Sequence, residues 1–191
     1  MSTTTNIMIV GVGGQGTLLA SRILGGAVIR MGYDVKVSEV HGMSQRGGSV
    51  VTYVKYGDKV HSPIIDNGEA DIVLAFELLE AYRALPALKR GGRLIVNDQR
   101  INPMPVITGA ALYPENILEK LSEAVDTTAV DALTLANEAG SFKAVNVVLI
   151  GVMAKNTAIP YEVWIDTIRE TVPQKFLNIN LKAFELGYNA R

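Results

Sequence analysis

Asn6-Ile-Met-Ile-Val-Gly-Val-Gly-Gly-Gln-Gly-Thr17 is the stretch on which the fold turns. Residues 6–10 are a short apolar run of the kind that forms a buried strand. Gly11, Gly13 and Gly16 then follow in a G-x-G-x-x-G spacing, and residues 17–31 carry a helical pattern. Leu19, Ile23 and Ala27 lie along one i,i+4 row, and Ala20, Leu24 and Val28 along the next. Strand, glycine turn and helix in that order open a βαβ unit, expected to be parallel and right-handed with residues 33–38 as its second strand. Gly25-Gly26 inside the helix lowers its propensity and suits close packing on the sheet.

The alternation continues down the chain. Residues 71–76 read as a buried strand, 78–89 as a helix stopped by Gly91-Gly92, and 93–96 as a strand. Pro103 and Pro105 break the next segment, with a short strand around Val106. Pro114 opens a helix to about Glu123, residues 127–130 form a strand, and Asp131 starts a helix to Ala139. Residues 144–155 are apolar nearly all round, which predicts a buried helix. Two more helices, over 161–171 and 175–186, end the chain, with Tyr161 and Trp164 packing the first on the core. One departure stands out: residues 50–56 and 59–61, separated by Gly57-Asp58, read as a hairpin. The expected architecture is one α/β domain over residues 1–191. It is Rossmann-like, with a mostly parallel sheet, an inserted β-hairpin and a helical C-terminal end.

Composition narrows the function. The 191 residues suffice for one domain with a sizeable core. A net charge of −1 gives no electrostatic footprint for nucleic acid, and 6% aromatics argue against a base-stacking platform. There is no cysteine, which excludes a disulfide, a thiol nucleophile and cysteine-held iron–sulfur clusters within this chain. His41 and His61 alone make a weak case for metal. The start of the chain lacks a basic signal region, and the longest apolar run, 147–154, is too short for a bilayer. The expectation is a soluble cytoplasmic chain.

Two polar loops carry the candidate chemistry. In the first, Gly11, Gly13, Gly14, Gln15 and Gly16 place free N–H groups at a helix start, which favours a phosphate or carboxylate. Glu39, 23 residues after Gly16, closes the second strand where a dinucleotide fold holds a ribose hydroxyl. The same loop is equally suited to closing a βα turn against a partner chain. The second is Glu39-Val-His-Gly-Met-Ser-Gln-Arg-Gly-Gly-Ser-Val50, which brings Glu39, His41, Ser44, Gln45 and Arg46 together with Gly47 and Gly48. Glycine lets the backbone approach a ligand closely, and an arginine fork suits a carboxylate or phosphate. Glu77, Asn97, Asp98 and Asp131 also gather at strand ends, where α/β sheets bind ligands or where helices simply begin. Asn146, in the buried helix, needs a partner, either a nearby backbone group or a ligand. Ser44 and His41 lack the context of a nucleophile elbow, so no catalytic residue is assigned.

The two loops, with Gly68-Glu-Ala-Asp71, Leu74-Ala-Phe-Glu77, Ile95-Val-Asn97 and Lys143-Ala-Val-Asn-Val-Val-Leu-Ile-Gly151, closely resemble the gamma-type subunit or domain of 2-oxoacid:ferredoxin oxidoreductases. The His-Gly-Met-Ser-Gln-Arg-Gly-Gly form is most similar to small (beta) subunits of indolepyruvate ferredoxin oxidoreductases. The resemblance covers about residues 6–155. It implies a complex that oxidatively decarboxylates a 2-oxoacid to an acyl-CoA with thiamine diphosphate, magnesium and iron–sulfur clusters, and passes electrons to ferredoxin. It further implies that a large partner subunit holds those groups and that this chain alone is inactive. The 11–16 and 41–48 loops would face that partner and line part of the approach of 2-oxoacid and CoA. Isolated, the chain could self-associate through the same face. Two other readings fit the residues: a free-standing NAD- or FAD-binding oxidoreductase, and a purely structural binding module.

Overall fold

The structure, a computed structural model, describes residues 4–42 and 47–190. Its centre is a six-stranded sheet in the order β2-β3-β1-β4-β5-β6. The strands are β1 (Thr5–Val12), β2 (Asp34–His41), β3 (Ser49–Gly57), β4 (Ala70–Ala75), β5 (Leu88–Asn97) and β6 (Asp126–Val130). The neighbouring strands β1, β4, β5 and β6 pair in parallel, and β3 pairs antiparallel with both β1 and β2.

Alternation along β1 explains the two cores. Ile7 and Ile9 point to one face, where they meet α1 (Thr17–Arg30), α5 (Ala132–Ala139), α6 (Val145–Ala154), α7 (Tyr161–Thr171) and α8 (Leu177–Asn189). Met8 and Val10 point to the other, where they meet α2 (Leu78–Ala84) and α4 (Ile117–Ala124). A strand covered on both faces must be apolar throughout, as residues 7–10 are. α6 is buried along its length from Asn146, as its apolar sequence requires. Trp164 is fully buried and stacks on Phe184 of α8, with ring centroids 6.2 Å apart.

α8 reaches α6 so closely that only glycine fits at their crossing. A Cβ on Gly151 would lie 2.8 Å from the Tyr188 nitrogen, and one on Gly187 2.8 Å from the Val148 carbonyl carbon. Gly26 serves the same purpose against α7, where a Cβ would lie 2.8 Å from Thr167 Cγ2. This corrects the expectation that Gly25-Gly26 packs on the sheet; beside Gly25 there is open space.

Other expectations are corrected as well. The hairpin is formed by β2 and β3 around residues 42–48, and residues 59–61 form no strand. β2 therefore runs in the direction of β1 without touching it, because β3 lies between them. The second strand also extends to His41 rather than ending at Ser38. α2 ends at Ala84, before a single 3-10 turn containing Pro86, since proline cannot donate to the helix ladder. Gly91-Gly92 lies inside β5, at a shift in its register with β4, where a Cβ on Gly92 would press on the Ala70 carbonyl at 2.9 Å. Val106 sits in the one-turn helix α3 (Met104–Ile107), not a strand, and α4 begins after Asn116 rather than at Pro114.

Candidate functional site

The carboxyl ends of β1, β2, β4, β5 and β6 share one edge of the sheet, and both Gly-rich loops come to it. The first loop is braced from within. Gln15 folds its side chain back: Oε1 accepts from the Val12 N–H at 2.7 Å, and Nε2 donates to the Phe76 carbonyl at 3.1 Å. Gly11 is buried beneath this brace, where a Cβ would lie 2.9 Å from Gln15 Oε1 and from Phe76 Cβ. Gly16 caps α1 in the left-handed region with φ of 86°. Asn146 holds it there, with Nδ2 donating to the Gly16 carbonyl at 3.2 Å and Oδ1 accepting from the Val147 N–H at 2.9 Å. Asn146 thus finds its partner in the backbone of the glycine turn.

The two loops are joined to each other. Gly13 donates its N–H to the Gly48 carbonyl at 2.9 Å, and its carbonyl accepts from the Gly47 N–H at 3.3 Å. A pyrophosphate on a dinucleotide-type glycine turn would need such an N–H, so this pairing opposes the free-standing nucleotide reading. So does β3, which moves the strand carrying Glu39 one position away from β1.

Glu39 and His41 are exposed on the edge strand β2. Glu39 accepts from Thr52 Oγ1 at 3.2 Å. Both line an open concavity of about 440 Å³ with Gly13, Gly14, Gly16 and Leu18. Ser44, Gln45 and Arg46 lie outside the described residues. On the other side of the turn, Gly14, Gly16, Gln99, Leu133, Phe142 and Lys143 line a second concavity of about 330 Å³.

The remaining strand-end polar residues are internal supports. Asn97 is fully buried: Nδ2 donates to the Phe76 carbonyl at 3.1 Å, and Oδ1 accepts from the Ala132 N–H at 3.1 Å. It therefore ties the ends of β4 and β5 to the start of α5. Asp131 caps α5, accepting from the Thr134 N–H at 3.0 Å, and bonds from Thr134 hold its carboxyl below the usual carboxylate range. Glu77 caps α2, accepting from the Glu80 N–H at 2.5 Å. Burial pushes the Glu77 carboxyl above its usual range. Tyr113 donates to Glu77 across 3.3 Å, and burial, with the Glu77 charge next, pushes its phenol up to about 12.

Sequence reasoning passed over two features of this edge. One is Glu80, buried and bonded to both Ser49 and Arg83. No periodicity marks it, because its partner Ser49 is 31 residues away. The other is the segment 101–114, which contains no charged residue. There Met104, Ile107 and Leu112 are 67%, 65% and 94% exposed. The uncharged run between Arg100 and Glu115 was the available signal.

A doubly covered, mostly parallel sheet with two interlocked glycine loops at its carboxyl edge defines a Rossmann-like α/β domain. Among the described residues the candidate site is an open loop surface. The chain belongs to the pyruvate ferredoxin/flavodoxin oxidoreductase family, whose model matches residues 6–190. It is 45% identical to the indolepyruvate oxidoreductase subunit IorB of Pyrococcus horikoshii, and 44% identical to that of Thermococcus kodakarensis. Each alignment covers 97% of this chain and 95% of the relative. The crystal structure of the keto/oxoacid ferredoxin oxidoreductase gamma subunit from Geobacter sulfurreducens superimposes with a TM-score of 0.72 at 28% identity, covering 96% of both chains.

Proposed function

We propose that this chain is the small subunit of an indolepyruvate:ferredoxin oxidoreductase, which oxidatively decarboxylates an aryl pyruvate to its acyl-CoA. The observation that carries this is near full-length likeness at 44–45% identity to subunits of that name. Within the complex, thiamine diphosphate would stabilise the carbanion left by decarboxylation, and iron–sulfur clusters would carry electrons to ferredoxin. The donor set of this chain does not fit those groups. Clusters need thiolates, and the sequence has no cysteine. Among the described residues no three His, Asp or Glu side chains are grouped to hold a metal ion. On this reading the clusters, the thiamine diphosphate and its magnesium belong to a larger partner subunit, and this chain contributes surface.

That surface is the carboxyl edge. The 11–16 turn and the 47–48 stretch meet there, and the exposed Phe142, Met104 and Ile107 flank them. Large exposed apolar side chains gathered beside polar loops suit a partner that covers them. The loops then wall part of the route taken by the 2-oxoacid and CoA, with Arg46 positioned in sequence to meet a carboxylate or phosphate. No described helix is long and apolar enough to cross a membrane, and we place the complex in the cytoplasm.

The test is co-expression with the large subunit under anaerobic conditions, followed by assay of CoA-dependent ferredoxin reduction with indolepyruvate, pyruvate and 2-oxoglutarate in turn. A brown complex active with the aryl substrate, alongside an inactive isolated chain, is expected. Activity of the large subunit undiminished without this chain would refute the role. Preference for pyruvate or 2-oxoglutarate would refute the substrate.

A further inference from the structure

Two acidic side chains lie below the surface at the start of α2. Glu77 is 1% exposed and Glu80 4%. Glu77 is accounted for as a helix cap. Glu80 is not, since a residue on the first turn of a helix could send its carboxylate to solvent and avoid the cost of burial. Instead both its oxygens are engaged by protein donors. One accepts from Ser49 Oγ, and the other from Arg83 Nη1 at 2.6 Å. Arg83, whose side chain is 52% exposed, balances the charge from the solvent side.

Ser49 is the first residue of β3, directly after Gly47 and Gly48. Gly47 takes the left-handed region with φ of 77°, and beside it there is open space. Side-chain packing therefore does not hold Gly47. Its hold comes from the main-chain pair with Gly13 and from the hydroxyl of Ser49 anchored below. The other end of the hairpin loop, His41, lies exposed on the edge strand. That end is held by the ladder pairing of His41 with Val50, and at the exit Glu80 adds a side-chain anchor to the main-chain pair with Gly13. The tether also forms one wall of a cavity of about 310 Å³, with residues 101–107 opposite.

We propose that Glu80 is a positioning residue for the exit of the Gly-rich hairpin: through Ser49 it locks Gly47 and Gly48 against Gly13 and presents these two residues to the partner subunit. This rests on the partner-facing role proposed above. A carboxylate suits the task because its two oxygens accept two donors at once and fix its orientation between them. Glutamine has no charge and one oxygen in place of two, so it cannot keep a charge-assisted bond at each end of the group.

The experiment compares Ser49→Ala, Ser49→Thr and Glu80→Gln by hydrogen exchange on the free chain, and by affinity and turnover in the reconstituted complex. Ser49→Ala and Glu80→Gln are expected to speed exchange at Gly47–Val50 about tenfold, as loss of one hydrogen bond to a charged group would. Association with the large subunit should weaken by about the same factor, while Tm falls by no more than about 3–6 °C, which is what one such bond is worth in a chain of this size. Ser49→Thr keeps the hydroxyl and should restore both. Unchanged exchange at Gly47–Val50 would overturn the tether. Faster exchange with unaltered affinity and kcat/KM would overturn its role in docking. If the unaltered chain does not bind the large subunit, the proposed function fails and the presenting role fails with it; binding equal to that of Ser49→Ala overturns this inference alone.

Discussion

Replacing Gly187 with alanine tests the contact that fixes the C-terminal helix. The new Cβ would lie 2.8 Å from the Val148 carbonyl carbon, and still nearer its oxygen. An ordinary contact begins near 3.4 Å, and the obstacle is backbone within a helix, so no side-chain rotation relieves it. α8 must shift away from α6 and loosen the packing of Phe184 and Trp164. Overpacking of this kind costs about 3 kcal/mol. Alanine returns about 1 kcal/mol through its better helix propensity. The net loss of about 2 kcal/mol should lower Tm by about 4–8 °C for a chain of this size. Gly25→Ala is the control: it also lies within a helix, but its Cβ would meet nothing within 4 Å. It should gain about 0.5–1 kcal/mol from propensity alone. Calorimetry on both variants decides the matter. Gly187→Ala as stable as the parent, or Gly25→Ala destabilised, would refute the account of the α6–α8 crossing.

Two further outcomes follow from the buried polar residues. Because the folded pKa of Glu77 is raised, its favourable protonated contribution is full below the unfolded value near 4.3 and is lost as pH rises through the folded value. Glu77→Gln removes that dependence, so its Tm relative to the parent should climb as pH rises from about 4.3 and level off above the folded value; a flat difference would contradict the raised value. Asn97→Ala leaves the buried Ala132 N–H without its acceptor and removes one of two donors to the Phe76 carbonyl, which keeps Gln15 Nε2. The orphaned N–H costs about 1–3 kcal/mol, so chemical denaturation should show a loss near 2 kcal/mol, and a loss under about 1 would mean water replaces the side chain.

Elements with a strong local signature were legible in the sequence. The apolar run at residues 7–10, the 3.6-residue rows of α1 and the unbroken apolarity of α6 each specify an element without reference to the rest of the chain. The place of β3 was not legible, because strand order depends on pairing partners that periodicity does not name. Gly57-Asp58 mimics a hairpin turn, while the strands that pair, β2 and β3, are joined by the longer polar sequence 42–48. In the site, the glycine turn was readable from its spacing. That Gln15 and Asn146 would be spent bracing it was not, since their partners are the carbonyls of Phe76 and Gly16, distant in sequence. Glu80 was invisible for the same reason.

The antiparallel insertion of β3 bears on how such a chain can diversify. After a parallel strand the backbone must cross the whole sheet, and changing that crossover disturbs packed helices. After β2 it only turns back, because His41 and Val50 pair directly across the hairpin. A loop whose ends are already neighbours can gain, lose or exchange residues at small entropic cost and without repacking either core. The fold thereby places a polar, Gly-rich segment where mutation costs least, and recognition there can change on a shorter evolutionary timescale than the scaffold that carries it.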